Sequence, residues 1–198
     1  WHAGAEYARE RKLIVYADIF GDESFEIANA IGVDGFKIHS EDLLNTFFIE
    51  KIAKEGKVLM IGVGGAHRIE IYQLLQYLVS KGLMGQTYLT TGVQTFPTPL
   101  EAHSVLEVVD LKIKYGPMGV KIIFADHIAG DMEDAYLLPI MALGAGAVAI
   151  EKHLTFNRDD KWEDYESALG KDEFADFVIK IKRLAPLMAP ITRQTEQE

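Results

Sequence analysis

Short runs of consecutive apolar residues that end in Gly, Asp or His alternate along the chain with longer stretches in which apolar residues recur at helical spacing. The short runs, residues 13–18, 35–39, 58–63, 87–91, 120–125 and 147–153, are rich in Val, Ile, Leu or aromatics and predict six strands. Between them, helical patterns cover 23–30, 42–54, 67–80, 100–115 and 131–143, each followed within a few residues by a glycine: Gly32, Gly56, Gly82, Gly116 and Gly144. Glycine just past a helix end is the usual stop, because it adopts the left-handed turn there without strain. A last helical pattern, 171–184, has no strand after it. Pro139 lies inside the fifth pattern and predicts a kink or a split. The polar tail 192–198 predicts fraying.

Strand starts recur every 22 to 33 residues, and the strands are continuously apolar rather than alternating. That is the signature of a parallel sheet covered by helices. The fold class is therefore α/β, built from six βα units. Two closures are open: a doubly wound sheet, or a TIM-type (β/α) barrel, which takes eight units and about 250 residues. At 198 residues a barrel is short by about two units.

Length and composition change this picture little. The chain is one domain, 1–198, with 48% apolar and 25% charged residues and a formal charge of −10. The acid excess and the lack of a basic cluster exclude a nucleic-acid or anionic-membrane surface. With no cysteine there is neither a disulfide framework nor a thiolate nucleophile or ligand. No apolar run reaches membrane-spanning length, and Trp1-His2-Ala3-Gly4 is no signal peptide, which gives a cytoplasmic reading.

In both closures ligands bind at the carboxyl ends of the strands, and here those ends are polar. Residues two apart on a strand share a face, so Lys37 lies with His39, Ala125 with His127, and Glu151 with His153, while Lys152 points away. A buried Glu and His need partners. One reading is a core ion pair between Glu151 and a lysine. The other is a metal site on His127 and His153, which end consecutive strands about 4.8 Å apart in sheet spacing. His2, His67 and His103, on helices or at the terminus, read as solvated. Gly62-Val63-Gly64-Gly65 reads as a tight βα turn, because His67 occupies the third position of a dinucleotide fingerprint and the next strand offers no ribose acid. By itself Phe96-Pro97-Thr98-Pro99 is a rigid loop, with Pro99 suited to the first turn of the next helix.

Taken in order, Phe36-Lys37-Ile38-His39-Ser40 with Asp42 and Asn45, Phe96-Pro97-Thr98-Pro99, Asp126-His127 with Gly130, Ile150-Glu151-Lys152-His153-Leu154-Thr155 and Asp164-Tyr165-Glu166-Ser167-Ala168-Leu169 resemble the sialic acid synthase family. These are the phosphoenolpyruvate-condensing enzymes that make N-acetylneuraminate, legionaminate and pseudaminate. The resemblance, from about Arg9 to Leu184, implies a (β/α)₈ barrel in which the six strands are strands three to eight. It implies no counterpart here for the first two strands, with their catalytic glutamate and ligand-binding lysine, or for the C-terminal antifreeze-like domain. The chain is then a fragment of a longer protein or a reduced relative.

By position, the resemblance implies a divalent ion, manganese or magnesium, on His127 and His153, with Glu151 as the catalytic acid beside the second histidine. It implies that Lys37 and Ser40 bind phosphoenolpyruvate and that Asp164 contacts an N-acetylmannosamine-like sugar. Five places depart from the family pattern. Asp18 stands for a threonine, and Gly62 and Ala125 stand for serines. Phe96 replaces a tyrosine, and Asp164-Tyr165-Glu166-Ser167-Ala168 replaces Asp-His-Lys-Ala-Ser. Asp18 in particular would repel a phosphate. The alternatives are a Schiff-base aldolase that uses Lys37 and a non-catalytic metabolite-binding barrel remnant. An incomplete barrel has two strand edges with unpaired backbone groups, and the family is dimeric, so a homo-oligomer is expected.

Overall fold

The structure, a computed structural model, describes residues 1–188; the tail 192–198 lies outside them. Six parallel strands form one sheet in sequence order: β1 (Tyr16–Ile19), β2 (Gly35–Ile38), β3 (Val58–Gly62), β4 (Thr87–Thr91), β5 (Lys121–Asp126) and β6 (Ala149–Lys152). The connections are α2 (Asp22–Ala30), α3 (Thr46–Ala53), α4 (Arg68–Ser80), α5 (Leu106–Tyr115) and α6 (Asp134–Ala145), preceded by α1 (His2–Glu10). After β6 come a short parallel pair, β7 (Leu154–Thr155) and β8 (Leu169–Gly170), and then α7 (Lys171–Leu184).

The two faces of the sheet differ in the way the period of two demands. Phe36, Ile38, Leu59, Ile61, Leu89, Ile122 and Phe124 point to the helices and are buried against Ile49, Ile52, Ile71, Leu75 and Leu78. The opposite face carries Asp18, Lys37, Met60, Tyr88, Ile123 and Glu151. It curls inward: Lys37 Nζ on β2 reaches Glu151 Oε1 on β6 at 2.8 Å. Four strand intervals of a flat sheet would separate those residues by about 19 Å, so the contact requires barrel curvature. The doubly wound alternative is thereby excluded, and the fold is a TIM-type barrel, incomplete because β1 and β6 are each paired on one side only among the described residues. At the amino-terminal end of the inner face a cavity of about 390 Å³ is lined by Tyr16, Met60, Tyr88, Lys121 and Ile123, among others.

Several element boundaries move. The helix expected over 42–54 is a 3₁₀ turn at Ser40–Asp42 followed by α3, because the Asn45 side chain accepts the Phe48 amide and starts a new helix. Residues 100–115 likewise divide into a 3₁₀ turn, Leu100–Ala102, and α5, so Pro99 precedes that turn and not the helix. Pro139 neither splits nor ends α6, which runs on to Ala145. Strand β1 starts at Tyr16, three residues later than expected, and β6 ends before His153. Helix α1 has only Ala5 buried and so left no apolar stripe to read. It is held by Arg9, whose guanidinium donates to the carbonyls of Ile31 and Gly32 at 2.7 and 2.6 Å and so caps α2. No helix among the described residues is long and apolar enough to cross a membrane.

Candidate active site at the barrel mouth

The carboxyl ends of β1, β2, β5 and β6 converge at the mouth of the curled sheet. Lys37 stands at its centre, 2.8 Å from Glu151 Oε1 and 3.0 Å from Asp18 Oδ2. Register places Asp18 directly opposite Lys37 on the neighbouring strand, whereas Glu151 meets it only because the sheet curls. The core ion pair open to Glu151 is thus present, and it is shared with a second carboxylate. Burial alone would lower the Lys37 pKa, but Glu151 and Asp18 outweigh it and hold the ammonium above its ordinary value. An amine nucleophile needs the opposite shift, so the arrangement disfavours a Schiff-base role for Lys37.

His127 and His153 follow β5 and β6 immediately, and their ring centroids lie 5.2 Å apart. His127 is buried and held from three sides. Its Nδ1 is 2.7 Å from the Val93 carbonyl, and its own carbonyl accepts the Thr98 amide at 2.8 Å and the Ser167 hydroxyl at 2.9 Å. With Nδ1 donating to Val93, the lone pair of the neutral ring is left on Nε2, the arrangement that suits a metal ligand. His153 Nδ1 lies 3.8 Å from Asp164 Oδ2, beyond hydrogen-bond length. Phe96 packs on both imidazoles, its centroid 4.3 Å from His127 and 5.5 Å from His153. The loop that sequence alone marks only as rigid therefore forms the wall of the histidine pair.

Among the described residues no group of three or more His, Asp or Glu side chains is arranged to hold a metal ion. The side chains at the mouth that could hold a divalent cation are the two imidazoles. Ser40 begins the turn after β2, and its amide nitrogen lies 2.8 Å from where a Cβ on Gly62 would stand. A serine in place of Gly62 would push that turn out of position.

Outside this cluster, Asp126 and Lys152 form an ion pair at 2.6 Å on the sheet's outer side, as the alternation required for Lys152. His103 differs from expectation: it is half-buried, and its Nε2 is shielded without a partner. Burial lowers the pKa of both His103 and His127 below the ordinary 6.5, outweighing their acidic neighbours. The unfolded chain binds these protons first, so stability is complete above pH 6.5 and is lost as pH falls through and below that value. Chemical denaturation between pH 7.5 and 5 on the order of half-unit steps is expected to show that decline, weakened in His103→Gln.

A curled parallel sheet with its polar groups gathered at the strand carboxyl ends defines a protein of the (β/α)-barrel class. The sequence model of the NeuB family matches residues 2–191, and the chain belongs to that family. It is 27% identical over 184 residues to the pseudaminic acid synthase of Campylobacter jejuni, covering 92% of this chain and 51% of that protein. Against the N,N'-diacetyllegionaminic acid synthase of the same organism it is 25% identical over 183 residues, 92% of this chain and 52% of that one. The crystal structure of the sialic acid synthetase of Leptospira borgpetersenii superposes with a TM-score of 0.85 at 24% identity, covering all of this chain and 65% of that chain. The likeness to that structure shows the fold. The chain spans about half the length of the curated relatives it matches.

Proposed function

We propose that this chain carries the mouth of a nonulosonate synthase, in which phosphoenolpyruvate condenses with an N-acetylated aldehyde sugar. The observation that supports the reading most is the His127–His153 pair, with the His127 tautomer fixed by Val93 and with Lys37 and Asp164 in the same opening. In the overall reaction the enol carbon of the donor forms a bond to the aldehyde carbon of the sugar. Water then adds at C2 of the pyruvyl unit, and phosphate leaves.

The two imidazoles would hold a manganese or magnesium ion, which when bound supplies Lewis acidity to the aldehyde oxygen. Lys37, kept protonated, offers its charge to an anionic donor, and it must exchange Asp18 or Glu151 for that donor. Asp164, partly exposed, would accept hydrogen bonds from sugar hydroxyls, and Glu151, likewise partly exposed, would be the acid beside the second histidine. Phe96 keeps water off one side of the imidazoles.

The test is phosphate release from phosphoenolpyruvate with N-acetylmannosamine and manganese, together with calorimetric manganese titration. Manganese binding is expected, and it is lost when His127 and His153 are both replaced by Ala; phosphate release is expected when the two further barrel strands that the resemblance implies are joined to these residues. Absence of manganese binding, or binding unchanged in the double variant, sinks the metal assignment. Sugar binding without phosphate release would favour the metabolite-binding reading.

The edges of β1 and β6, each paired on one side only among the described residues, with Leu13 and Ile14 well exposed beside β1, also support self-association. Light scattering across a concentration series is expected to give a mass above 22.1 kDa that grows with concentration; a constant monomer mass would refute it.

A further inference from the structure

The Asp126–Lys152 pair has no part in the proposed chemistry, yet it is the most deeply buried ion pair among the described residues. Its side chains are 0% and 2% exposed, with Nζ 2.6 Å from Oδ2. It occupies the last rung of the β5–β6 ladder, where Asp126 and Lys152 stand in register. The next residue on each strand is one of the two histidines. They lie just beyond the last rung, so no ladder hydrogen bond sets their spacing. Among the described residues strand β6 pairs in this sheet with β5 alone, and the His153 carbonyl just beyond it accepts the Leu169 amide at 3.0 Å. The second carboxylate oxygen, Oδ1, accepts the Ile128 amide at 3.0 Å. A single carboxylate therefore grips the chain beyond His127 and, through Lys152, the end of the strand that carries His153.

Stability is a poor account of such a pair, because exchanging a buried ion pair for apolar side chains of similar volume is often neutral or stabilising. Position is a better one. We propose that Asp126 and Lys152 are positioning residues that hold His127 and His153 at the separation needed to share a divalent cation, setting its affinity without touching it. The cation part rests on the reading of the two histidines as a metal pair; the control of their spacing does not.

The experiment replaces Asp126 by Leu and Lys152 by Met together in the 198-residue chain. Three quantities are compared with the unchanged protein: the thermal midpoint, calorimetric manganese affinity, and the nuclear Overhauser effect between the two imidazole rings in metal-free protein. The expected result is a midpoint lowered by no more than the Ile128 amide left without its acceptor accounts for, affinity reduced about 10–100-fold, and a ring-to-ring effect that is lost. Unchanged affinity together with an unchanged ring-to-ring effect overturns the proposal. If the unchanged protein binds no manganese, the metal reading falls and the Overhauser comparison alone decides: loss supports the positioning role and retention overturns it. Should the double variant fail to fold, Asp126→Glu, which lengthens the grip by one methylene, is read in the same way. A changed ring-to-ring effect supports the proposal, and an unchanged one with unchanged affinity overturns it.

Discussion

Replacing Asp126 alone by Asn is expected to lower the unfolding free energy by about 3–5 kcal/mol. Lys152 would then keep a charge at 2% exposure with its partner gone. Burial already lowers the Lys152 pKa, and Asp126 opposes the shift. The Ile128 amide would also exchange a charged acceptor for a neutral one. Typical domains hold about 5–15 kcal/mol in total, so a loss of this size brings unfolding within reach of modest denaturant. Urea denaturation with the slope held constant measures it. A loss below about 1 kcal/mol would mean that water or a rearranged neighbour solvates Lys152.

Lys37→Met is expected to remove donor binding and to lower kcat/KM for phosphoenolpyruvate by about 10²-fold or more, with little change in stability. The asymmetry follows from exposure. The side chains of Lys37, Asp18 and Glu151 are 19%, 34% and 27% exposed, so water can take over the two carboxylates, while an incoming anion loses the ammonium that lies between them. Asp18→Thr carries the opposite expectation. It removes one of the two carboxylates that occupy Lys37 and restores the residue type of the family pattern, so phosphoenolpyruvate should bind more tightly. Calorimetric titration of the donor against both variants reads the two signs in one experiment. Equal affinity in Asp18→Thr would show that the carboxylate swings clear when the donor arrives.

Much of the scaffold is legible because local rules agree. Six apolar runs with glycine-terminated helices between them are enough to predict six parallel strands, since continuous apolarity is what burial between layers demands. Boundaries are less legible where a side chain intervenes. The Asn45 cap and the 3₁₀ turns at Ser40 and Leu100 interrupt patterns whose apolar spacing continues straight through. Helix α1 and the β7–β8 pair are short and weakly apolar, and tertiary contacts stabilise them: Arg9 on the end of α2, and Leu169 pairing across to Leu154.

The candidate site divides along the same line. The alternation of strand residues by itself determined that Lys37 lies with His39, and Glu151 with His153 and away from Lys152, because that follows from backbone geometry within a strand. Only the tertiary structure decided which of them meet. Curvature brings Glu151 from four strands away onto Lys37 and makes Asp18 a competitor for the same ammonium. Loop packing lays Phe96 on the imidazoles, and the last rung of the ladder pairs Asp126 with Lys152. Those contacts depend on sheet curl and on residues as many as 114 positions apart, and no local propensity encodes a separation of that kind.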